Sequence, residues 1–392
     1  MVSDMIYLDN AATTPLHPKA REAMLPHLSE IYANPSSVYG PAQQARKMVD
    51  EVRQTVARAL SAGPQEVYFT SCGTESNNWA IQGALQAHPD KKHIITTAIE
   101  HPAIANLCDH LKTLGAETTY LPVNHQGNIN LQDLKDAIRP DTCIVTVMLA
   151  NNEVGTILPL AEISEITKAH NILLHTDAVQ AVGHIPVDVN QLGVDMLSLS
   201  AHKFGGPKGI GALYIRKTAK VSSLIHGGMQ ERNRRAGTEN MLGIVGMGAA
   251  LQASLEDMPR EKSRITAIRD RLINEITTQI PHTRLNGATG DGRLPGNVSI
   301  SFDFIEGESL LLHLDMHKCY ASTGSACSTG ALDPSHVLMA MGMPHEQANG
   351  TIRFSLGREN TDGDIDKLLK ILKPSVQKLR DLSPLYEDYM NM

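Results

Sequence analysis

Short apolar runs alternate with longer amphipathic segments through the first half of the chain. The runs predict strands at residues 67–70, 93–98, 143–149, 172–176, 196–200 and 211–215. Apolar runs of this length, separated by long crossover segments, are typical of a mainly parallel sheet that helices cover on both faces. The pattern therefore predicts an α/β fold with one large domain, to which we assign residues 21–257.

A different pattern begins near residue 258. Apolar residues recur at helical spacing between residues 259 and 280, and Val298, Ile300 and Phe302 alternate as in a half-buried strand. A chain of 392 residues also exceeds the roughly 250 to 300 at which single hydrophobic cores stop growing. We therefore predict a smaller α+β domain over residues 258–392, which the segment 1–20 is expected to join.

The composition is that of an ordinary folded protein. Hydrophobic residues make up 42% of the chain and charged residues 20%, with a net charge of -7. The acidic balance offers no electrostatic footprint for nucleic acid or for an anionic membrane surface. The first ten residues lack the basic start and apolar run of a secretory signal. We expect a cytoplasmic protein that acts on small molecules.

Cysteine usage indicates reduced thiols. The five cysteines, at positions 72, 108, 143, 319 and 327, form no CxxC pair and leave an odd count. Cys327 lies among small polar residues in segment 321–330, which has too few apolar residues to pack tightly and predicts a mobile loop. We predict Cys327 as the reactive thiol and structural roles for the other four.

Small residues follow the first strand of the predicted sheet, where a helix begins. Residues 71–76 read Ser-Cys-Gly-Thr-Glu-Ser. Free backbone N–H groups and the positive end of a helix attract anions, and Gly73 allows a ligand to approach closely. An ordinary helix cap with Ser71 or Thr74 at the N-cap explains the same residues. This turn by itself identifies no ligand.

An aspartate and a lysine complete the pattern. Asp177 ends a predicted strand, where it can hold a heteroaromatic N–H or a metal, or simply cap a turn. No nearby His and Cys set has metal-ligand spacing, so the sequence favours a nitrogen partner and predicts no metal site. Lys203 lies between a strand and the glycine pair 205–206, and a lysine shielded from water becomes a nucleophile able to form a Schiff base. A phosphate-type turn followed by such an aspartate and lysine is the plan of fold-type I pyridoxal-phosphate (PLP) enzymes.

The chain resembles the NifS and IscS group of cysteine desulfurases over nearly its whole length. The segments that carry the resemblance are 7–14, 34–37, 70–75, 100–102, 151–156, 175–180, 200–203, 235–240, 324–327 and 353–355. These enzymes belong to the class-V aminotransferases, so the resemblance implies a seven-stranded, mainly parallel sheet with a smaller domain beside it. PLP is the cofactor that it implies.

The resemblance also implies individual roles. Lys203 would bond the cofactor aldehyde, Asp177 would bind the pyridine nitrogen, and His101 would stack on the ring and assist proton transfer. The phosphate would be held by Gly73, Thr74, Ser200 and His202, with Thr238 arriving from the partner subunit of a homodimer. Gln180 and Asn152 would contact the ring hydroxyl or the substrate, Arg353 would clamp the substrate carboxylate, and Asn34 would join the substrate site.

The implied reaction converts L-cysteine to L-alanine and leaves the sulfur as a persulfide on Cys327. An iron-sulfur scaffold protein or another acceptor would then receive it. Three alternatives stay open at this point: a PLP lyase that releases sulfide, another fold-type I reaction such as aminotransfer, and a scaffold without cofactor. The basic residues Arg232, Arg234 and Arg235 are interpreted as a solvated or subunit-facing charge run.

Overall fold

The computed structural model describes residues 5–323 and 334–391. Cys327 and most of the predicted loop at 321–330 lie outside these residues. In the described ranges, no helix has the length and apolar content needed to cross a bilayer.

Strands and helices follow one another as an α/β pattern. Strands β1 to β12 are Ile6–Tyr7, Val67–Thr70, His93–Thr97, Glu117–Leu121, Thr142–Thr146, Leu173–Asp177, Met196–Ser200, Gly211–Ile215, Thr283–Leu285, Asn297–Phe302, Cys319–Tyr320 and Thr351–Ser355. Helices α1 to α14 are Pro18–Met24, Gly40–Ala59, Gly73–Ala87, Pro102–Thr113, Leu131–Ala137, Leu160–Ala169, Val189–Leu192, Gln230–Asn233, Met241–Gln279, Gly307–Asp315, His336–Ala340, His345–Asn349, Asp362–Asp381 and Pro384–Met390.

In the described part of the chain, seven strands form the main sheet in the order β2-β8-β7-β6-β5-β3-β4. The five strands from β7 to β4 in that order are parallel, and β8 is antiparallel to both of its neighbours. The predicted α/β class and the mainly parallel sheet are confirmed. The sequence prediction missed β4, because this edge strand is mostly part-exposed and lacks an apolar run.

A second core lies beside the main sheet. It joins the C-terminal part of α9, strands β10 and β12, and helix α13. Strand β10 is buried along its whole length, so the expected half-buried strand is wrong. Its second face carries Ser299 and Ser301, and Ser301 bonds Thr351 Oγ1 at 2.7 Å. The prediction assumed that the polar residues of the strand face solvent. Hydroxyl groups that hydrogen-bond to one another can be buried, so the assumption fails here.

Helix α9 runs through the position where the sequence places the start of the second domain. It extends unbroken from Met241 to Gln279 with Pro259 inside, so the helical spacing predicted between residues 259 and 280 is confirmed but belongs to a longer helix. Its Leu251 belongs to the core of the main sheet and its Ile265 to the second core. Because this helix contributes to both cores, no gap in the helical structure marks a boundary there, and the domain limits stay a prediction.

Candidate functional site

A cavity of about 330 Å³ lies beyond the carboxyl ends of the parallel strands. Ligands bind open α/β sheets in this position. The residues that follow β2, β3, β5, β6 and β7 all contribute to it. Its predicted members are Gly73, Thr74, His101, Asn152, Asp177, Gln180, Ser200, His202, Lys203 and Arg353.

Two predicted site residues lie elsewhere. Asn34 is exposed and its side chain accepts a hydrogen bond from the Ser36 amide at 2.9 Å, which closes a local turn. Thr238 is also exposed and does not line the cavity. Its predicted role concerns the cofactor of a partner subunit, so a single chain leaves that role a prediction.

The turn between β2 and α3 presents a helix N-terminus to the cavity. Cys72, rather than Ser71 or Thr74, is the N-cap, and its Sγ accepts from the Glu75 amide at 3.5 Å. Gly73 and Thr74 supply N–H groups of the first helical turn, which a helix cannot satisfy internally. A Cβ atom on Gly73 would lie 2.7 Å from Val179 Cγ2, so only glycine fits. This cradle suits a phosphate group.

Asp177 lies on the cavity wall with both carboxylate oxygens engaged. Its Oδ2 accepts a 2.6 Å hydrogen bond from Asn77 Nδ2, and its Oδ1 accepts one of 2.9 Å from the Val179 amide. Both donors are N–H groups, and together they hold the carboxylate by its two oxygens. A carboxylate held in this way can pair with a protonated ring nitrogen. Asn77 was missed, because its partner lies 100 positions away.

Lys203 is seated by the N-terminal segment. Its Nζ donates to the carbonyl oxygens of Ala11 and Ala12, each at 2.7 Å. The glycines that follow are required by geometry, because Gly205 has a φ of +85° and a Cβ on Gly206 would lie 2.7 Å from Ala201 Cβ. Segment 7–14 is among those that carry the resemblance, but no pattern in it predicts that its carbonyls receive the lysine.

Two histidines line the cavity in neutral form. Burial lowers the pKa of His101, and its Nδ1 accepts from the Ala103 amide at 3.1 Å, so the ring proton lies on Nε2. Burial and the charge of Lys203 lower the pKa of His202 to about 4. At neutral pH His101 therefore presents an N–H that can donate or exchange a proton.

Arg353 enters the cavity from the second core, where it extends from β12. It is 2% exposed, so it does not belong to a surface ion pair. Its Nη2 donates to Asp9 Oδ1 at 2.9 Å and its Nη1 to the Asn152 carbonyl at 3.1 Å. Its Nε is buried and has no protein partner in the described ranges. The guanidinium group is fixed in place and keeps an unused donor.

Sequence reasoning also missed two groups that line the cavity, Glu153 and His336. The Ser335 hydroxyl donates to the Glu153 carboxylate, and His336 Nε2 donates to the Glu100 carbonyl at 3.0 Å. Burial raises the pKa of the Glu153 carboxyl, and it raises the pKa of the Glu100 carboxyl to about 8. The chain that follows residues 324–333 is thus attached to the turns that carry His101 and Asn152.

Among the four described cysteines, only Cys72 lines the cavity. Cys108, Cys143 and Cys319 are buried, and burial raises the pKa of these thiols to about 12, 11 and 12. They remain protonated at neutral pH and are poor nucleophiles, which agrees with the structural roles predicted for them.

The comparisons with known proteins agree with this geometry. Residues 6–368 match the family described as aminotransferase class-V. The chain belongs to this family. It is 49% identical to the cysteine desulfurase IscS of Clostridium botulinum over 391 residues, which cover 99% of this chain and 98% of that protein.

Solved structures extend the likeness to the fold. A NifS-like protein superimposes with a TM-score of 0.90 at 37% identity, covering 96% of this chain and 100% of its own. SspA in complex with cysteine gives a TM-score of 0.79 at 37% identity, with 90% and 98% covered. The family resemblance found in the sequence is confirmed.

Proposed function

We propose that this chain is a PLP-dependent cysteine desulfurase and that Cys327 receives the sulfur. The observation that carries the proposal is the meeting of three features in one cavity: the helix N-terminus at Gly73, the carboxylate of Asp177 and the amine of Lys203. An anion site, a partner for a ring nitrogen and a nucleophilic amine are the contacts that PLP requires. The named relatives and the solved complex with cysteine support the same activity.

The residues present fit the cofactor. Gly73 and Thr74 would hold its phosphate together with Ser200 and His202, and Asp177 would hold its ring nitrogen. When bound, PLP supplies an aldehyde carbon that bonds to amines and a ring that withdraws electrons from the carbons of a bound amino acid.

Lys203 and His101 would handle protons. The Nζ of Lys203, held by the Ala11 and Ala12 carbonyls, would take the proton from the substrate Cα. His101, which is neutral because burial lowers its pKa, would donate a proton through its Nε2–H. Both side chains line the same cavity, so neither has to cross solvent to reach the substrate.

Arg353 would orient the substrate. Its planar guanidinium already contacts Asp9 and Asn152 and keeps Nε without a protein partner in the described ranges. A carboxylate is the acceptor that matches several guanidinium N–H groups at once. The free carboxylate of L-cysteine therefore has a specific place in the cavity.

Two arguments support Cys327 as the sulfur acceptor. Three of the other thiols are buried and their pKa values are raised, which leaves Cys72 as the described competitor. The segment of Cys327 is also tied to the cavity at both ends, because Ser322 pairs with the Arg353 backbone and Ser335 bonds Glu153. Cys327 lies five positions after Ser322, a span of at most about 18 Å.

The sulfur transfer balances without another reactant. The thiolate of Cys327 attacks the substrate sulfur, a sulfur–sulfur bond forms and the substrate carbon–sulfur bond breaks. The electron pair of the broken bond stays with the carbon, which takes up the equivalent of the proton that the Cys327 thiol lost on ionising, so L-cysteine leaves as L-alanine. The carbon is reduced while the two sulfur atoms are oxidised to the persulfide.

Cys327→Ala tests the assignment, with Cys72→Ser as the matched control, because serine keeps a side chain that can accept from the Glu75 amide. We expect the Cys327 variant to keep the cofactor and lose alanine formation from cysteine, while the Cys72 variant retains it. Unchanged turnover in Cys327→Ala, with free sulfide as product, would identify a lyase instead. A homodimer, an iron-sulfur scaffold as sulfur acceptor and a location in the cytoplasm complete this proposal.

A further inference from the structure

Strand β2, which leads into the phosphate turn, is an edge strand of the main sheet. Side chains from α8 and α2 take the place of a neighbouring strand. Glu231 Oε2 accepts from the Phe69 amide at 2.9 Å, while Arg53 Nη1 and Arg232 Nη2 each donate to the Val67 carbonyl at 2.8 Å. Arg232, which was expected in a solvated or subunit-facing run, thus makes a contact inside the chain.

The segment that supplies these contacts has an unusual backbone. Glu231, Arg232 and Asn233 have φ values of 44°, 56° and 63°, in the left-handed region that L residues rarely adopt. Arg53 holds the buried Glu231 carboxylate by two hydrogen bonds of 2.7 and 2.8 Å. Strained backbone of this kind persists where its surroundings fix it, and such places cluster at functional sites.

Immediately after this segment, Arg235 reaches the first turn of α3. Its Nε and Nη2 donate to the two oxygens of Glu75 at 2.8 and 3.0 Å. Glu75 Oε2 also accepts from the Ser71 amide at 2.8 Å. Burial alone would raise the pKa of Glu75, but the hydrogen bonds from Arg235 and Ser71 outweigh it and lower that pKa. One ionised carboxylate therefore connects Arg235 to the start of the phosphate turn.

We propose that Arg235 is a positioning residue for the cofactor phosphate, acting through Glu75 on the turn formed by residues 71–74. The inference rests on the proposed function, because it assumes that PLP binds at this turn. Two effects follow from the contacts. The bidentate pair fixes the Ser71 end of the turn, and the positive charge of Arg235 neutralises a carboxylate that would otherwise repel a dianionic phosphate.

These two effects predict a specific order among variants. Arg235→Ala leaves Glu75 as an uncompensated charge beside the phosphate site, so it should be the most harmful single change. Glu75→Gln removes that charge but loosens the turn, so it should be milder. The double variant Arg235→Ala/Glu75→Gln has no charge at position 75 to repel the phosphate, so PLP should bind to it more tightly than to Arg235→Ala alone. A purely structural arginine would give no such rescue.

The test is a titration of PLP-free protein with PLP, followed by the absorption of the bound cofactor and by the ³¹P chemical shift of its phosphate. Arg235→Ala should raise the PLP dissociation constant by about tenfold or more. Arg235→Lys should fall in between, because lysine keeps the charge and loses the fork. Arg139→Ala, which breaks an exposed pair with Glu117 and Asp141, should behave as the wild type.

Wild-type affinity and ³¹P shift in Arg235→Ala would overturn the inference, as would a double variant that binds PLP more weakly than Arg235→Ala. Thermal unfolding of the PLP-free protein shows whether Arg235→Ala folds. If it does not, Arg235→Lys and Glu75→Gln test the inference in its place. Wild-type affinity and ³¹P shift in both of these variants would overturn the inference. Failure of the wild type to take up PLP would instead overturn the proposed function, and this inference with it.

Discussion

The Nζ atom of Lys203 lies 2.7 Å from the carbonyl oxygen of Ala11, a residue 192 positions earlier in the chain. Gln180 Nε2 donates to the same oxygen at 2.9 Å. The N-terminal segment therefore joins two predicted site residues through one backbone carbonyl. A lysine held in this way keeps its amine inside the cavity, where the α proton of a bound amino acid would be removed.

Replacement of Lys203 by arginine tests this amine. Arginine keeps the charge but forms no stable bond with an aldehyde, so alanine formation should fall by about a thousandfold or more. Borohydride reduction of the wild type should also fix a pyridoxyl group on Lys203. Lys208→Arg changes an exposed lysine nearby and should leave both results unaltered. A pyridoxyl group on another lysine would contradict the assignment.

Arg353→Lys tests the substrate carboxylate site. Lysine cannot contact Asp9, Asn152 and a substrate carboxylate with a planar set of donors, so the KM for cysteine should rise by about tenfold or more. The kcat should change less, because the residues that move protons stay in place. Arg284→Lys, at an exposed position, is the control. A wild-type KM for Arg353→Lys would remove Arg353 from the substrate site.

His175 predicts how stability depends on pH. It is fully buried between Thr146 Oγ1 at 2.8 Å and Ser198 Oγ at 3.0 Å, and burial lowers its pKa from 6.5 to about 3. The unfolded chain binds the proton first as the pH falls, so stability is lost below pH 6.5. The loss from this group approaches about 1.4 kcal/mol for each pH unit until the folded state also protonates.

Urea unfolding of the holoprotein at pH 7.5, 6.5 and 5.5 measures this effect. His175→Gln keeps a donor and an acceptor near the two hydroxyl groups and removes the titration. We expect it to be less stable than the wild type at pH 7.5 but to lose less on acidification. Parallel pH profiles for the two proteins would show that His175 does not contribute.

The sequence was sufficient for the fold class and for most of the cavity, for a physical reason. Residues at the carboxyl ends of parallel strands meet at one edge of a sheet, so the sequence alone predicts that Asp177, Ser200 and the turn after β2 lie close together. The family resemblance added His101, Asn152 and Arg353, which the structure places in the same cavity.

The missed groups depend on pairings between distant parts of the chain. Asn77 meets Asp177 across 100 positions and Arg235 meets Glu75 across 160, and neither residue type reveals its partner. Arginine is usually solvated, so the cluster at 232–235 was interpreted as a solvated or subunit-facing run. In the structure Arg232 contacts the edge of β2, Arg234 the Val221 carbonyl and Arg235 the Glu75 carboxylate. The roles predicted for Thr238 and Asn34 would require a second subunit or substrate, so a single chain leaves them predictions.

Mass spectrometry of the protein after brief exposure to L-cysteine tests the central claim most directly. The peptide that holds Cys327 should gain one sulfur atom while alanine forms in equal amount, and Cys327→Ala should show neither. Cys72 is the described thiol that lines the cavity, so its peptide serves as the internal comparison. Alanine formation with the added sulfur on Cys72, or with no added sulfur on any cysteine, would contradict the account.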